Sequence, residues 1–66
     1  MDVEIDRFLG KSYTFEDGAS ITVKEIKRRD EDMYWVTYMI SQGPGLPRQL
    51  LMEYPGFVDT YGHLFP

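Results

Sequence analysis

Sixty-six residues, 42% hydrophobic and 15% aromatic, make one domain at most, near the lower size limit for folding, since such a chain buries only about 60% of its unfolded surface. The absence of cysteine excludes a disulfide framework and a thiolate metal site, and the apolar content excludes a disordered chain. Seven basic against eleven acidic side chains, a net charge of −4, oppose indiscriminate binding to nucleic acid or anionic membrane.

The chain begins Met1-Asp2-Val3-Glu4-Ile5-Asp6, too acidic for a signal or transit peptide, and no apolar stretch approaches the ~18 residues of a membrane span. A single soluble, cytoplasmic domain is the expectation. Residues 1–10 read as an N-terminal arm or a short helix, with Ile5, Phe8 and Leu9 on one helical face and Gly10 available to end it.

A hairpin follows. Tyr13 and Phe15 alternate with Ser12 and Thr14, and Ile21 and Val23 with Thr22 and Lys24. A two-residue Asp17-Gly18 turn would set Phe15 opposite Ser20 and mix polar with apolar on both faces, which a half-buried sheet forbids. A three-residue loop, Glu16-Asp17-Gly18, instead pairs Phe15 with Ala19 and Tyr13 with Ile21, and puts Gly18 where such loops need a left-handed residue. Ile26 breaks parity with Ile21 and Val23, so a bulge near Lys24-Glu25 is expected.

Three positive charges and then three negative, Lys27 to Asp32, read as a solvated loop between the second and third strands. Met33 to Ile40 is a strand with apolar or aromatic side chains on both faces: Tyr34, Val36, Tyr38 and Ile40 on one, Met33, Trp35 and Met39 with Thr37 on the other. Ser41 to Pro47 holds two Gly and two Pro and must be a loop. Arg48 to Tyr54 is a fourth strand with Leu50 and Met52 on one face and Leu51 on the other. A helical turn over Pro55 to Tyr61 closes the chain, with Gly62 as its stop.

The expected fold is mainly β, a strongly curved four- to five-stranded antiparallel sheet or small barrel with a short C-terminal helical turn. The layout Gly10-Lys11-Ser12-Tyr13-Thr14-Phe15, Asp17-Gly18, Ile21-Thr22-Val23, Tyr34-Trp35-Val36-Thr37-Tyr38, Leu46-Pro47-Arg48 and Tyr61-Gly62-His63-Leu64-Phe65 resembles the small Src-homology-3-like barrels. More narrowly, it resembles short proteins of tailed bacteriophages, including those infecting cyanobacteria. The resemblance implies a host-directed or accessory role and a host-cytoplasmic location, and transfers no functional residue. The acidic, aromatic-rich first loop and paired tryptophans of the proline-binding groove are missing, so proline-peptide binding is not implied.

No catalytic, metal or cofactor constellation is legible. His63 is the one histidine, and no spacing brings it to Ser12, Ser20 or Ser41. Asp30, Glu31 and Asp32 lack the ligand spacing of a calcium loop. Pro44 removes an amide donor from the Gly43-Pro44-Gly45 loop, which therefore cannot cradle a phosphate. The expectation is no enzyme but a protein-binding module, engaging an unidentified protein or a second copy through Trp35, Met39, Met33, Leu46 and Arg48, residue types at home in interface centres and on rigid loops. The alternative is a nucleic-acid-binding barrel using Lys27, Arg28 and Arg29, with Arg48, beside Trp35, Tyr34 or Tyr38.

Overall fold

The hairpin at the start of the sheet forms as its residue types require. In the computed structural model, which describes residues 3–66, β1 (Ser12–Thr14) and β2 (Ser20–Arg28) pair antiparallel with Tyr13 opposite Ile21. Phe15 N–H donates to the Ala19 carbonyl at 2.7 Å and Gly18 N–H to that of Phe15 at 3.0 Å, closing the three-residue loop. Gly18 has φ +90°, a conformation that a Cβ disfavours, and Asp17 Oδ1 accepts the Ala19 N–H at 2.9 Å.

The register slips between Val23 and Glu25, leaving Lys24 as the bulged residue. The slip returns Ile26 to the side of Ile21 and Val23, where all three meet the core. β2 then runs further than the charge pattern implied. Lys27 and Arg28 are strand residues opposite Trp35 and Tyr34 on β3 (Tyr34–Ser41), because the Ile26 pairing carries the ladder past the bulge. The turn is left to 29–33, where the Arg29 N–H donates to the Met33 carbonyl at 3.1 Å.

β4 (Arg48–Glu53) pairs antiparallel with β3 and completes a four-stranded meander in the order β1-β2-β3-β4. The sheet is not closed, a correction to the barrel expectation. β1 has three residues, too few to reach round to β4, and helices rather than a second set of strands seal the core.

That seal is aromatic. α2 (Tyr54–Tyr61) starts without interruption after β4, with Pro55 in its first turn where its missing N–H costs nothing. It lays Phe57 and Tyr61 against Tyr38, at ring separations of 5.3 and 5.6 Å. α1 (Ile5–Phe8) contributes Phe8, which is fully buried and meets Tyr54, Phe57 and Phe65 edge-on. Ile5 and Leu9, expected beside Phe8, are exposed: a helix of one turn presents only one side chain inward. Met1 and Asp2 of the expected arm lie outside the described residues.

Gly62 is the C-cap at which α2 ends, as expected, but it is not left-handed. Its φ of −56° and ψ of −33° are helical, and the chain runs on as a 3₁₀ turn, η1 (Gly62–Leu64). A Cβ there would approach Val58 Cγ1 at 3.2 Å, a tight contact that Val58 would have to relieve by a few tenths of an ångström. The space beside it is used by Arg7, whose Nη2–H donates to the Gly62 carbonyl at 2.8 Å and whose Nε–H donates to the Phe65 carbonyl at 2.6 Å.

Burial pushes the Tyr38 hydroxyl pKa above its usual 10.0, and the neighbouring Tyr61 hydroxyl adds to the rise. The folded chain therefore keeps a proton that the unfolded chain loses near pH 10. The stability from this group is complete below that pH and declines as pH climbs through the folded value. Urea midpoints measured across that alkaline range are expected to fall, and less steeply in Tyr38→Phe. An unchanged slope in the variant would place the titration elsewhere.

Candidate interaction surface

One face of the sheet is sealed by helices, and the cross-strand register fixes what stands on the other. Residues opposite one another in a ladder lie on the same face. On the open face Lys27, Trp35 and Glu53 form one row, Glu25, Thr37 and Leu51 the next, and Thr22, Met39 and Gln49 a third, to which Ser12 adds from β1. Neighbouring strands are about 4.8 Å apart, so each row is a line of adjacent side chains.

None of Trp35, Thr37, Met39 or Leu51 belongs to the buried cluster or to the side chains packed against it. Trp35 and Met39 are half-buried by their neighbours in the sheet, and Leu51 is 43% exposed. The face is graded. The β1–β2 half is hydroxyl-rich, with Ser12 Oγ and Thr22 Oγ1 hydrogen-bonded at 2.9 Å, whereas the β3–β4 half carries Trp35, Met39 and Leu51 among Thr37, Gln49 and Glu53. The Trp35 ring stands between a cation on β2 and a carboxylate on β4.

Sequence reasoning named five contact residues, and they do not share one surface. Trp35 and Met39 stand on the open face as their parity required. Met33 lies in the turn before β3, half-buried, its carbonyl held by the N–H groups of Arg29 and Asp30. Arg48 is exposed and stands opposite Ile40, so its register position is on the other side of the sheet, at the far end from Trp35. Five residues of β3 separate Ile40 from Trp35, roughly 17 Å of strand. Leu46 is 92% exposed on the loop at that same far end. Leu51 stands on the open face with Gln49 and Glu53, a parity legible in the sequence although Leu51 was not among the expected contacts.

The basic residues divide in the same way. Lys27 is on the open face beside Trp35, whereas Arg28 stands opposite Tyr34 on the other side of the sheet. A shallow hollow is nevertheless lined by Lys27, Arg28, Arg29, Asp30 and Trp35. Tyr38 is 3% exposed and can offer no base a stacking platform, a correction to the nucleic-acid alternative. Tyr34, half-buried, packs against the core.

A concavity of about 280 Å³ between the hairpin tip and α2 is lined by Phe15, Asp17, Ala19, Ile21, Ile40, Gln42 and Tyr61. It falls below the ~300–1,000 Å³ of sites that enclose an organic ligand, and Asp17 is its one charged group. Among the described residues no three His, Asp or Glu side chains converge as a metal site would require. No helix there is long and apolar enough to cross a membrane. Comparisons with protein-family models, with curated proteins and with solved structures gave no match.

Proposed function

We propose that this chain is a small protein-binding module whose contact surface is the open sheet face centred on Trp35, Met39 and Leu51. The observation that carries the reading is that row of Lys27, Trp35 and Glu53. An aromatic anchor flanked by one charge of each sign suits a protein surface, which offers both signs around an apolar centre. It suits a polyphosphate poorly, because Glu53 lies in the same row and Glu25 in the next. The likeness to short phage proteins adds the kind of partner, a protein of the host cytoplasm.

Truncating a central tryptophan costs a complex about 2 kcal/mol or more, roughly a 30-fold loss of affinity. Affinity capture from a lysate of the natural host is expected to retain a defined protein on the wild-type chain. Trp35→Ala and Met39→Glu should each release it while circular dichroism stays native. Identical captured sets for wild type and both variants would remove the open face as the contact surface.

The hollow beside Lys27 supports a second reading, a nucleic-acid binder with Trp35 as its stacking platform. Its signature is an oligonucleotide complex that weakens steeply with salt and is lost in Arg28→Glu/Arg29→Glu.

A further inference from the structure

We infer that β4 is a strand-addition edge that pairs antiparallel with β4 of a second copy of this chain, about a two-fold axis passing through Leu51. This surface is the rim of the sheet; it shares Leu51 with the face assigned above and does not depend on that reading.

β4 is hydrogen-bonded to β3 on one side, and among the described residues no strand lies on its other side. Edges of this kind are normally guarded by proline, by a bulge, by a central charge or by brevity. β1, the opposite edge, is guarded by brevity, having three residues. β4 has six residues, an unbroken register with β3, and the uncharged run Gln49-Leu50-Leu51-Met52 between Arg48 and Glu53. α2 leaves its end directly and places Tyr54 and Phe57 in the core cluster.

The side chains select both the partner and the register. Residues facing one another across an antiparallel ladder must lie on the same side of the sheet, so a two-fold axis falls on a residue and not between two. Placed at Leu50 it would set Gln49 against Leu51 and Arg48 against Met52, polar against apolar. At Met52 it would set Leu51 against Glu53. At Leu51 it sets Leu51 against itself, Leu50 against Met52 and Gln49 against Glu53, and every pair is matched. The strand is thus complementary to its own copy in one register, and Leu51, 43% exposed, is covered by its twin. The pairing would also join two open faces into one eight-stranded surface carrying Trp35, Met39 and Leu51 twice. Five residue pairs make a small interface, so the association is weak and concentration-dependent.

The chain has no cysteine, which permits a direct test. Facing Cβ atoms on the dyad are within reach of a disulfide, whereas Gln49 and its copy are offset by four residues. Under mild oxidation Leu51→Cys is expected to form a covalent dimer roughly tenfold faster than Gln49→Cys or Met39→Cys. Sedimentation equilibrium of the wild type should rise toward twice the monomer mass as concentration enters the millimolar range. Leu51→Lys, with like charges placed on the dyad, should stay monomeric with a native circular dichroism spectrum. Gln49→Lys, set against Glu53 of the copy, should tighten the dimer. A wild type monomeric throughout, or equal cross-linking rates for Leu51→Cys and Gln49→Cys, would overturn the edge dimer. So would a dimer that survives Leu51→Lys but is lost in Trp35→Ala, which would place self-association on the open face.

Discussion

Phe57→Ala is expected to leave most of the chain unfolded at room temperature. Phe57 is fully buried, and its ring lies 5.7 Å from Phe8, 5.3 Å from Tyr38, 5.3 Å from Tyr61 and 6.2 Å from Phe65. It therefore joins α1, β3, α2 and the end of the chain at one point. Removing a buried phenylalanine costs about 3–5 kcal/mol in lost transfer energy and unfilled cavity. A domain of 66 residues has a total stability of roughly 3–10 kcal/mol at ordinary values per residue, so one substitution consumes much or all of it. Circular dichroism and urea titration measure the outcome. A variant that keeps the wild-type midpoint would mean that α2 does not seal this face in solution.

Arg7→Ala is expected to lower the melting temperature by roughly 6–24 °C, with Arg7→Lys recovering less than half of the loss. The guanidinium binds three acceptors from two ends of the chain. It donates to the carbonyls of Phe65 at 2.6 Å and Gly62 at 2.8 Å, and to Glu4 Oε2 at 2.9 Å, and it stands 4.7 Å from the centre of the Phe8 ring. The Glu4 pair is solvent-exposed and contributes little. The two carbonyl bonds, made by a charged donor, account for most of an effect of about 1.5–3 kcal/mol after allowance for partial exposure. In a domain of this size each kcal/mol moves the melting temperature about 4–8 °C. Lysine offers a point charge without the planar fork and cannot meet all three acceptors. Hydrogen exchange supplies the structural readout: protection should fall together at the start and the end of the chain, because one side chain ties both. Loss confined to residues near Arg7 would mean that the tie to the C-terminal turn is absent in solution.

Local rules were legible in the sequence wherever a single physical constraint left one solution. The mixed faces of a two-residue turn forced the three-residue loop at Glu16–Gly18, and the broken parity at Ile26 forced the bulge at Lys24. Alternation put Trp35 and Met39 opposite Tyr34, Val36, Tyr38 and Ile40. Arg7 was invisible for the opposite reason. Its partners are backbone carbonyls fifty-five and fifty-eight residues away, and backbone acceptors leave no mark in side-chain identity. Gly62 was readable as the end of the last helix, but its close approach to Val58 was not, since crowding across a turn depends on how the C-terminal segment docks.

The sequence by itself determined the hairpin, the strand faces and the aromatic supply of the core, because periodicity and turn chemistry act between residues a few positions apart. The tertiary structure alone decided that the sheet stays open, that the helices close one face and leave Trp35, Met39 and Leu51 on the other, and that β4 forms an unguarded rim. Those outcomes depend on whether β1 is long enough to meet β4 and on where Phe8 and Phe57 come together, and such long-range docking is written in no local pattern.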